Sequence, residues 1–182
     1  FVHGVLNTDN MNISGESFDY GPWRWLPRWE AGFTAAYFDH QGLYSFGRQP
    51  EAMHWNCGQL AVALRLLADA PPLIAAMERF GPLYEAALVR RWLWRMGVSR
   101  RSAEQDRAVL AAAEAQLRET GAQPDAYFHR HRGGRGASGA LSEALEASDI
   151  EDTSQPYWGE TPQSMLIEEV EAIWDAIDQR DD

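Results

Sequence analysis

The chain contains no lysine: all sixteen basic residues are arginine, against 27 aspartate and glutamate residues, and the formal net charge is −11 over 182 residues. A nucleic-acid or anionic-membrane surface needs a basic patch, so this charge balance argues against both kinds of partner. The chain also lacks the lysine with which many ATP-using enzymes contact a nucleotide phosphate. No uninterrupted apolar run approaches the roughly 18 residues of a membrane-spanning helix.

Cysteine is nearly absent too, since Cys57 is the single one. One cysteine excludes an internal disulfide and fits a reducing compartment. Residues 55–67 are mostly apolar, so we expect Cys57 to be a buried small residue and not a reactive thiol. Apolar residues make up 45% of the chain, with eight tryptophans, which is a globular composition long enough for one domain with a core.

The pattern along the chain predicts a mainly α protein with one small β-hairpin. Short extended pieces flank Gly15, which is a hairpin signal in a polar link. Aromatic residues without a sustained period follow, and then come alanine- and leucine-rich helical stretches. The predicted division is a loop and hairpin at 1–22, an irregular loop at 23–50, helices at 51–131, a flexible acidic linker at 132–163, and a C-terminal helix at 164–182.

Two helical stretches carry more specific expectations. Residues 51–69 are apolar on most sides, which predicts a central buried helix. The two prolines at 71 and 72 are expected to end this helix. Ser102 with Gln105 fits a capping box, and Gly121 fits a helix stop. We therefore expect an amphipathic helix from Ser102 to Glu119.

Residues near the amino end offer the ligands that phosphoryl-type chemistry uses. Magnesium prefers oxygen ligands from one or two side chains and takes its other oxygens from water and phosphates. Asn10 offers an amide oxygen and Asp19 a carboxylate, and Asp9 offers a second carboxylate that could act as a base. Asp39 and His40 could also suggest a metal pair, but we favour a turn stabilised by hydrogen bonds there.

The same residues follow the spacing of a protein-kinase catalytic loop. His3 and Asn10 stand seven residues apart, and the run Asp19-Tyr20-Gly21 stands where kinases have Asp-Phe-Gly. The third loop position, where kinases keep a catalytic aspartate, is Val5, which cannot accept a proton. By the kinase rule the chain would be a pseudokinase.

A longer signature makes the resemblance specific. The run His-Gly-Val-x-Asn-Thr-Asp-Asn-Met from His3, then Asp-Tyr-Gly-Pro from Asp19, then Asp-x-Gln-Gly-x-Tyr from Asp39 and Gln-Pro from Gln49 resembles the selenoprotein O family. The match is dense over residues 1–60. The resemblance implies the C-lobe portion of a protein-kinase-like fold. It also implies an enzyme that transfers AMP from ATP to Ser, Thr or Tyr hydroxyls of proteins.

The resemblance also assigns roles by position. Asp9 matches the family's base, Asn10 and Asp19 match its metal ligands, and Asp19 also lies against the nucleotide phosphates. His3 matches a structural loop histidine. The implied cofactor is Mg²⁺ or Mn²⁺ with ATP as substrate, and the implied partners are proteins with Ser, Thr or Tyr hydroxyls. The implied location is the cytoplasm of a bacterium, or the mitochondrion if the source is eukaryotic.

Two function classes remain open from the sequence. The chain begins at Phe1 without an initiator methionine, and the glycines near Gly133 follow no strand and so do not form a nucleotide-binding loop. We expect a piece of an adenylyltransferase that is inactive alone, because the lobe that holds ATP is outside this chain. The alternative is a non-catalytic helical remnant that acts as a binding or scaffold module.

Overall fold

A computed structural model describes residues 1–146, 148–151, 153–154 and 159–179. These residues are mainly helical, as predicted. No helix among them is both long enough and apolar enough to cross a membrane. The α-helices are α1 (Gln49–Leu64), α2 (Ala70–Glu78), α3 (Phe80–Met96), α4 (Ala103–Thr120), α5 (Pro124–His131), α6 (Gly139–Leu145) and α7 (Ile167–Asp178).

The described chain divides into two compact units. The first unit comprises residues 1–26, 30–84 and 166–182, and the second comprises residues 27–29 and 85–165. The first unit holds all the residues for which the sequence predicts a catalytic or metal-binding role. The division that we expect between 131 and 132 stays a prediction, as does the kinase-like C-lobe.

The predicted β-hairpin at 1–22 is wrong, because the described part of that segment holds only isolated antiparallel bridges. Met11 pairs with Ser17, and Val2 pairs with Arg24. The Met11–Ser17 ladder cannot lengthen, because a 3₁₀ turn occupies Thr8–Asn10 on one side. On the other side Asp19 has a φ of 57°, which takes the backbone out of the extended region.

Helix α1 forms in the predicted place, but the expectation that it is buried is wrong. Asn56 is its one buried residue, while Trp55 is 60% exposed and Val62 is 66% exposed. Burial needs neighbours on every apolar side, and α2 is the helix that packs along α1 within this unit. The prolines at 71 and 72 also begin α2 instead of ending α1, because the first helical turn tolerates a residue without an N–H.

The second unit has its own hydrophobic core, which α4 and α6 share with the later part of α3 and with α5. Leu141 and Leu145 of α6 are buried in it, although they lie in the interval where we expect a linker. Residues 147, 152 and 155–158 of that interval lie outside the described residues. The core side chains are Val89, Trp92, Leu93, Met96, Val98, Val109, Ala113, Leu117, Tyr127, Phe128, Leu141 and Leu145.

Two polar groups lie at the edge of this core. The Tyr127 hydroxyl donates to Oε1 of Gln116 at 2.8 Å, and burial raises the pKa of Tyr127 to about 12. His131 packs against the Tyr127 ring and pairs through Nδ1 with the carbonyl of Arg135 at 3.0 Å. Burial, together with the Arg130 charge, lowers the pKa of His131 although the carbonyl of Arg135 opposes that shift. Both side chains are therefore held in their neutral forms at neutral pH.

The C-terminal helix is found as α7, with residues 180–182 outside the described part of the chain. Its apolar face is largely uncovered: Trp174 is 66% exposed and Ile177 is 50% exposed. The amphipathic pattern therefore predicts the helix correctly and does not decide what packs on it.

Helix α4 confirms its predicted ends. Ser102 accepts from the backbone N–H of Gln105, and the Gln105 side chain returns to the Ser102 N–H, which completes the capping box. Gly121 ends the helix with a φ of 59°, where glycine has no side chain to clash.

We expect Ser102→Ala to lower the free energy of unfolding by about 1 kcal/mol, because the first turn of α4 loses its side-chain acceptor. Urea denaturation followed by circular dichroism measures this loss. The control is Ser142→Ala, an exposed serine inside α6, which should change the free energy by less than about 0.5 kcal/mol. An equal loss in both variants would contradict the cap assignment.

Candidate functional site

His3 is the buried centre of the amino-terminal loop, with 2% of its surface exposed. Its Nδ1 accepts from the backbone N–H of Val5 at 3.4 Å, so its Nε2 carries the proton and donates to the carbonyl of Phe18 at 2.9 Å. The ring therefore ties residues 3–5 to the residue that precedes Asp19. This bonding to backbone confirms the structural role expected for His3.

Gly4 explains why the first and second parts of the signature occur together. Its φ is +92°, and a Cβ placed there would lie 2.6 Å from Cγ of Pro22 and 3.3 Å from Cβ of Ala35. Any larger residue at position 4 would push away the proline that follows the Asp19-Tyr20-Gly21 run. The two parts of the signature are thus in direct contact.

Asn10 has a fixed orientation in a short 3₁₀ turn. Asn7 caps this turn by accepting from the backbone N–H of Asp9 at 3.2 Å. Nδ2 of Asn10 donates to the carbonyl of Val5 at 2.8 Å, and only 6% of Asn10 is exposed. Since the amide nitrogen is used in this bond, the amide oxygen is the group that remains to act as a ligand.

The structure places the segments that contain Asn10 and Asp19 side by side. The backbone N–H of Phe18 donates to the carbonyl of Asn10 at 3.0 Å, next to the bridge between Met11 and Ser17. Asp9 and Asp19 are both exposed. Neither carboxylate accepts a hydrogen bond from any residue that the structure describes. Their predicted roles stay predictions, and these unpaired charges are what the site can offer to a ligand.

Asn10 and Asp19 offer oxygen ligands that suit a metal ion whose other ligands are phosphate oxygens. Over the described residues there is no group of three or more His, Cys, Asp or Glu side chains that could enclose a metal ion. Asn10 and Asp19 together supply one amide oxygen and one carboxylate, which suits Mg²⁺ or Mn²⁺ when the nucleotide supplies further oxygens. The residues present therefore fit such an ion as a metal–nucleotide complex and do not form a cage for the ion alone.

The turn expected at Asp39 is found, and the Asp39 carboxylate forms no hydrogen bond with His40. Its two carboxylate oxygens accept the backbone N–H groups of Leu43 and Tyr44, each at 2.8 Å. Both oxygens are committed to the loop, so Asp39 stabilises the turn, as aspartates commonly do.

Two residues of α1, Gln49 and Asn56, contact the loop, and the sequence predicts a role for neither of them. Gln49 accepts from the N–H of His3 and donates to the carbonyl of Phe1, each at 3.0 Å. Nδ2 of Asn56 donates to the carbonyl of Leu6 at 2.8 Å. A single Gln or Asn in a helix gives no local signal of a partner about 50 residues away, although Gln49 stood inside the signature.

A family model and several individual proteins match this chain in sequence. The family model described as protein adenylyltransferase SelO matches residues 1–160. Proteins named protein nucleotidyltransferase YdiU are similar to this chain. The one from Synechocystis is 43% identical over 99 residues, which is 54% of this chain and 21% of that protein. The one from Pseudomonas putida is 37% identical over 146 residues, which is 80% of this chain and 30% of that protein.

A third relative of the same name, from Synechococcus elongatus, is 48% identical over 97 residues, or 53% of this chain and 20% of that protein. The chain thus spans between 20% and 30% of the length of these relatives.

We expect His3→Ala to lower the free energy of unfolding by about 1–3 kcal/mol, because the carbonyl of Phe18 and the N–H of Val5 lose their buried partner. Urea denaturation measures this loss. The matched control is His40→Ala, since His40 is exposed, and it should shift the free energy by less than about 0.5 kcal/mol. A loss for His3→Ala no larger than for the control would mean that the ring does not hold the loop.

Proposed function

Because this chain belongs to the SelO family, we propose that it is part of an enzyme that transfers AMP from ATP to Ser, Thr or Tyr hydroxyls of proteins. The observation that carries the proposal is the pair of partnerless carboxylates, Asp9 and Asp19, on two segments joined by the Phe18–Asn10 hydrogen bond. Both stand at the signature positions to which the family resemblance assigns the chemistry.

Asp9 is the proposed base. The oxygen of the target hydroxyl attacks the α-phosphorus of ATP, and the hydroxyl proton passes to the Asp9 carboxylate. The bond between the α-phosphorus and the bridging oxygen to the β-phosphate breaks, and pyrophosphate leaves. Val5 stands where a kinase has its base and cannot accept the proton, whereas Asp9 is exposed and forms no competing hydrogen bond within the described chain.

Asn10 and Asp19 are the proposed holders of Mg²⁺ or Mn²⁺. When bound, the ion neutralises charge on the phosphates of ATP. The chain's own contribution is orientation: Val5 fixes the Asn10 amide, and His3 fixes the carbonyl of Phe18 beside Asp19. This chain has no lysine that could contact a phosphate. The remaining contacts to ATP are therefore proposed to come from other parts of the full-length protein. The isolated chain is therefore expected to be inactive.

A non-catalytic binding role is the second candidate. It is favoured by the uncovered apolar side chains of α1 and α7, among them Trp55 and Trp174 at 60% and 66% exposed. Large exposed apolar side chains are groups that an interaction with another protein could bury. In this case the chain would bind another protein without transferring any group to it.

Radiolabelled ATP distinguishes these candidates. In the full-length protein with Mg²⁺ or Mn²⁺, label at the α-phosphate should appear on protein, and label at the γ-phosphate should not. The isolated 182-residue chain should transfer neither. Transfer of the γ label without the α label would identify a kinase, and transfer of neither by the full-length protein would support the binding role.

Substitutions of Asp9 and Asp19 should have different effects in the same assay. We expect Asp9→Ala to lower AMP transfer by about 10²–10⁴-fold while leaving nucleotide binding nearly unchanged, because only proton transfer is lost. Asp19→Ala should lower transfer at least as much and also weaken metal-dependent ATP binding in calorimetry, because phosphate charge loses its counter-ion site.

The control is Asp175→Ala, which removes an exposed carboxylate from α7 and should leave transfer and binding unchanged. Equal effects of Asp9→Ala and Asp19→Ala on ATP binding would contradict the division of roles.

A further inference from the structure

Gln49 and Asn56 lie on one face of α1, because seven residues are close to two full helical turns. From that face they bind the amino-terminal loop at two points about 10 Å apart along the helix axis. Gln49 holds residues 1 and 3, and Asn56 holds Leu6. Helix α1 thus holds the irregular amino-terminal loop at two fixed points.

Asn56 holds both ends of the segment that contains Asp9 and Asn10. Its Nδ2 donates to the carbonyl of Leu6 at 2.8 Å and also lies 3.9 Å from the sulfur of Met11. The four residues between these contacts are the capping Asn7 and the 3₁₀ turn Thr8–Asn10. A shift of Asn56 would therefore move the start and the end of this turn together.

The energetics of Asn56 argue that stability is not the reason for an asparagine here. The residue is 4% exposed, and its Oδ1 is buried with no hydrogen-bond partner among the residues that the structure describes. A buried acceptor without a partner opposes folding and offsets much of what the Nδ2 bond contributes. The contribution of Asn56 to the loop is therefore the position at which its Nδ2 holds the carbonyl of Leu6.

We propose that Gln49 and Asn56 are positioning residues of the adenylyltransferase site: through the backbone of residues 1–6 they set where Asp9 and Asn10 stand relative to Asp19. This inference rests on the proposed function for its catalytic consequence. Its structural part, local order of residues 5–18, stands separately. Neither residue contacts substrate, and both act through the loop.

Hydrogen–deuterium exchange on the 182-residue chain tests the structural part. Asn56→Leu removes the donor and the orphan acceptor at similar volume. We expect the amides of Asn10 and Phe18 to exchange about 2- to 10-fold faster, while amides inside α2, in the same unit, are unchanged. The control is Gln59→Ala, an exposed side chain on α1, which should change neither set. Equal acceleration in the loop and in α2 would show a general stability effect and overturn the proposal.

Two substitutions at Gln49 keep the test decisive if Asn56→Leu fails to fold. Gln49→Glu retains the oxygen that accepts from His3 and loses the donor to Phe1, whereas Gln49→Ala loses both bonds. We expect faster loop exchange in the alanine variant and a smaller increase in the glutamate variant, which keeps the bond to His3 but places a carboxylate oxygen against the carbonyl of Phe1. Unchanged exchange in Gln49→Ala would overturn the role of this residue.

The catalytic part is tested in the full-length protein with α-labelled ATP. Asn56→Leu should lower kcat by about 10- to 100-fold with little change in KM for ATP and a near-normal melting temperature. A normal kcat beside faster loop exchange would overturn the positioning role. If the unmodified full-length protein transfers no α label, the proposed function fails, and the exchange result alone decides whether α1 orders the loop.

Discussion

Residues 1–11 are buried over much of their length and have no strand ladder along them, so their backbone polar groups need other partners. The bridge between Val2 and Arg24 provides two of these partners, and side chains provide several of the others. His3 takes the N–H of Val5 and the carbonyl of Phe18, Asn10 takes the carbonyl of Val5, and Asn56 takes that of Leu6. The positions of the candidate catalytic groups follow from this requirement. Asp9 and Asp19 are exposed, and their carboxylates take no part in these hydrogen bonds.

Features with a local cause could be predicted from the sequence. The capping box of Ser102 and Gln105 and the left-handed Gly121 involve residues within one turn of each other, and both ends of α4 were predicted correctly. The signature contains both Asn10 and Asp19, and the Phe18–Asn10 hydrogen bond places their segments side by side. Its long, fixed spacing supports family membership in a way that one short motif would not.

Features that depend on distant partners could not be predicted in this way. The apolar composition of α1 predicted burial, but composition cannot tell whether other elements cover the helix, and Trp55 and Val62 are exposed. The hairpin failed because the pattern around Gly15 does not reveal the left-handed backbone at Asp19. The roles of Gln49 and Asn56 had no local signal, because their partners lie about 50 residues earlier in the chain.

The backbone of Asp19 gives an argument for function that does not depend on the signature. Asp19 is the one non-glycine residue with positive φ in the part of the chain that the structure describes, and its neighbour Phe18 is held through both its N–H and its carbonyl. The chain must turn at position 19, where glycine would adopt the same φ without strain. The aspartate side chain offsets none of that strain through hydrogen bonds, since its carboxylate binds no described residue. A left-handed aspartate whose carboxylate binds no described residue supports the proposal that Asp19 serves a metal–phosphate complex.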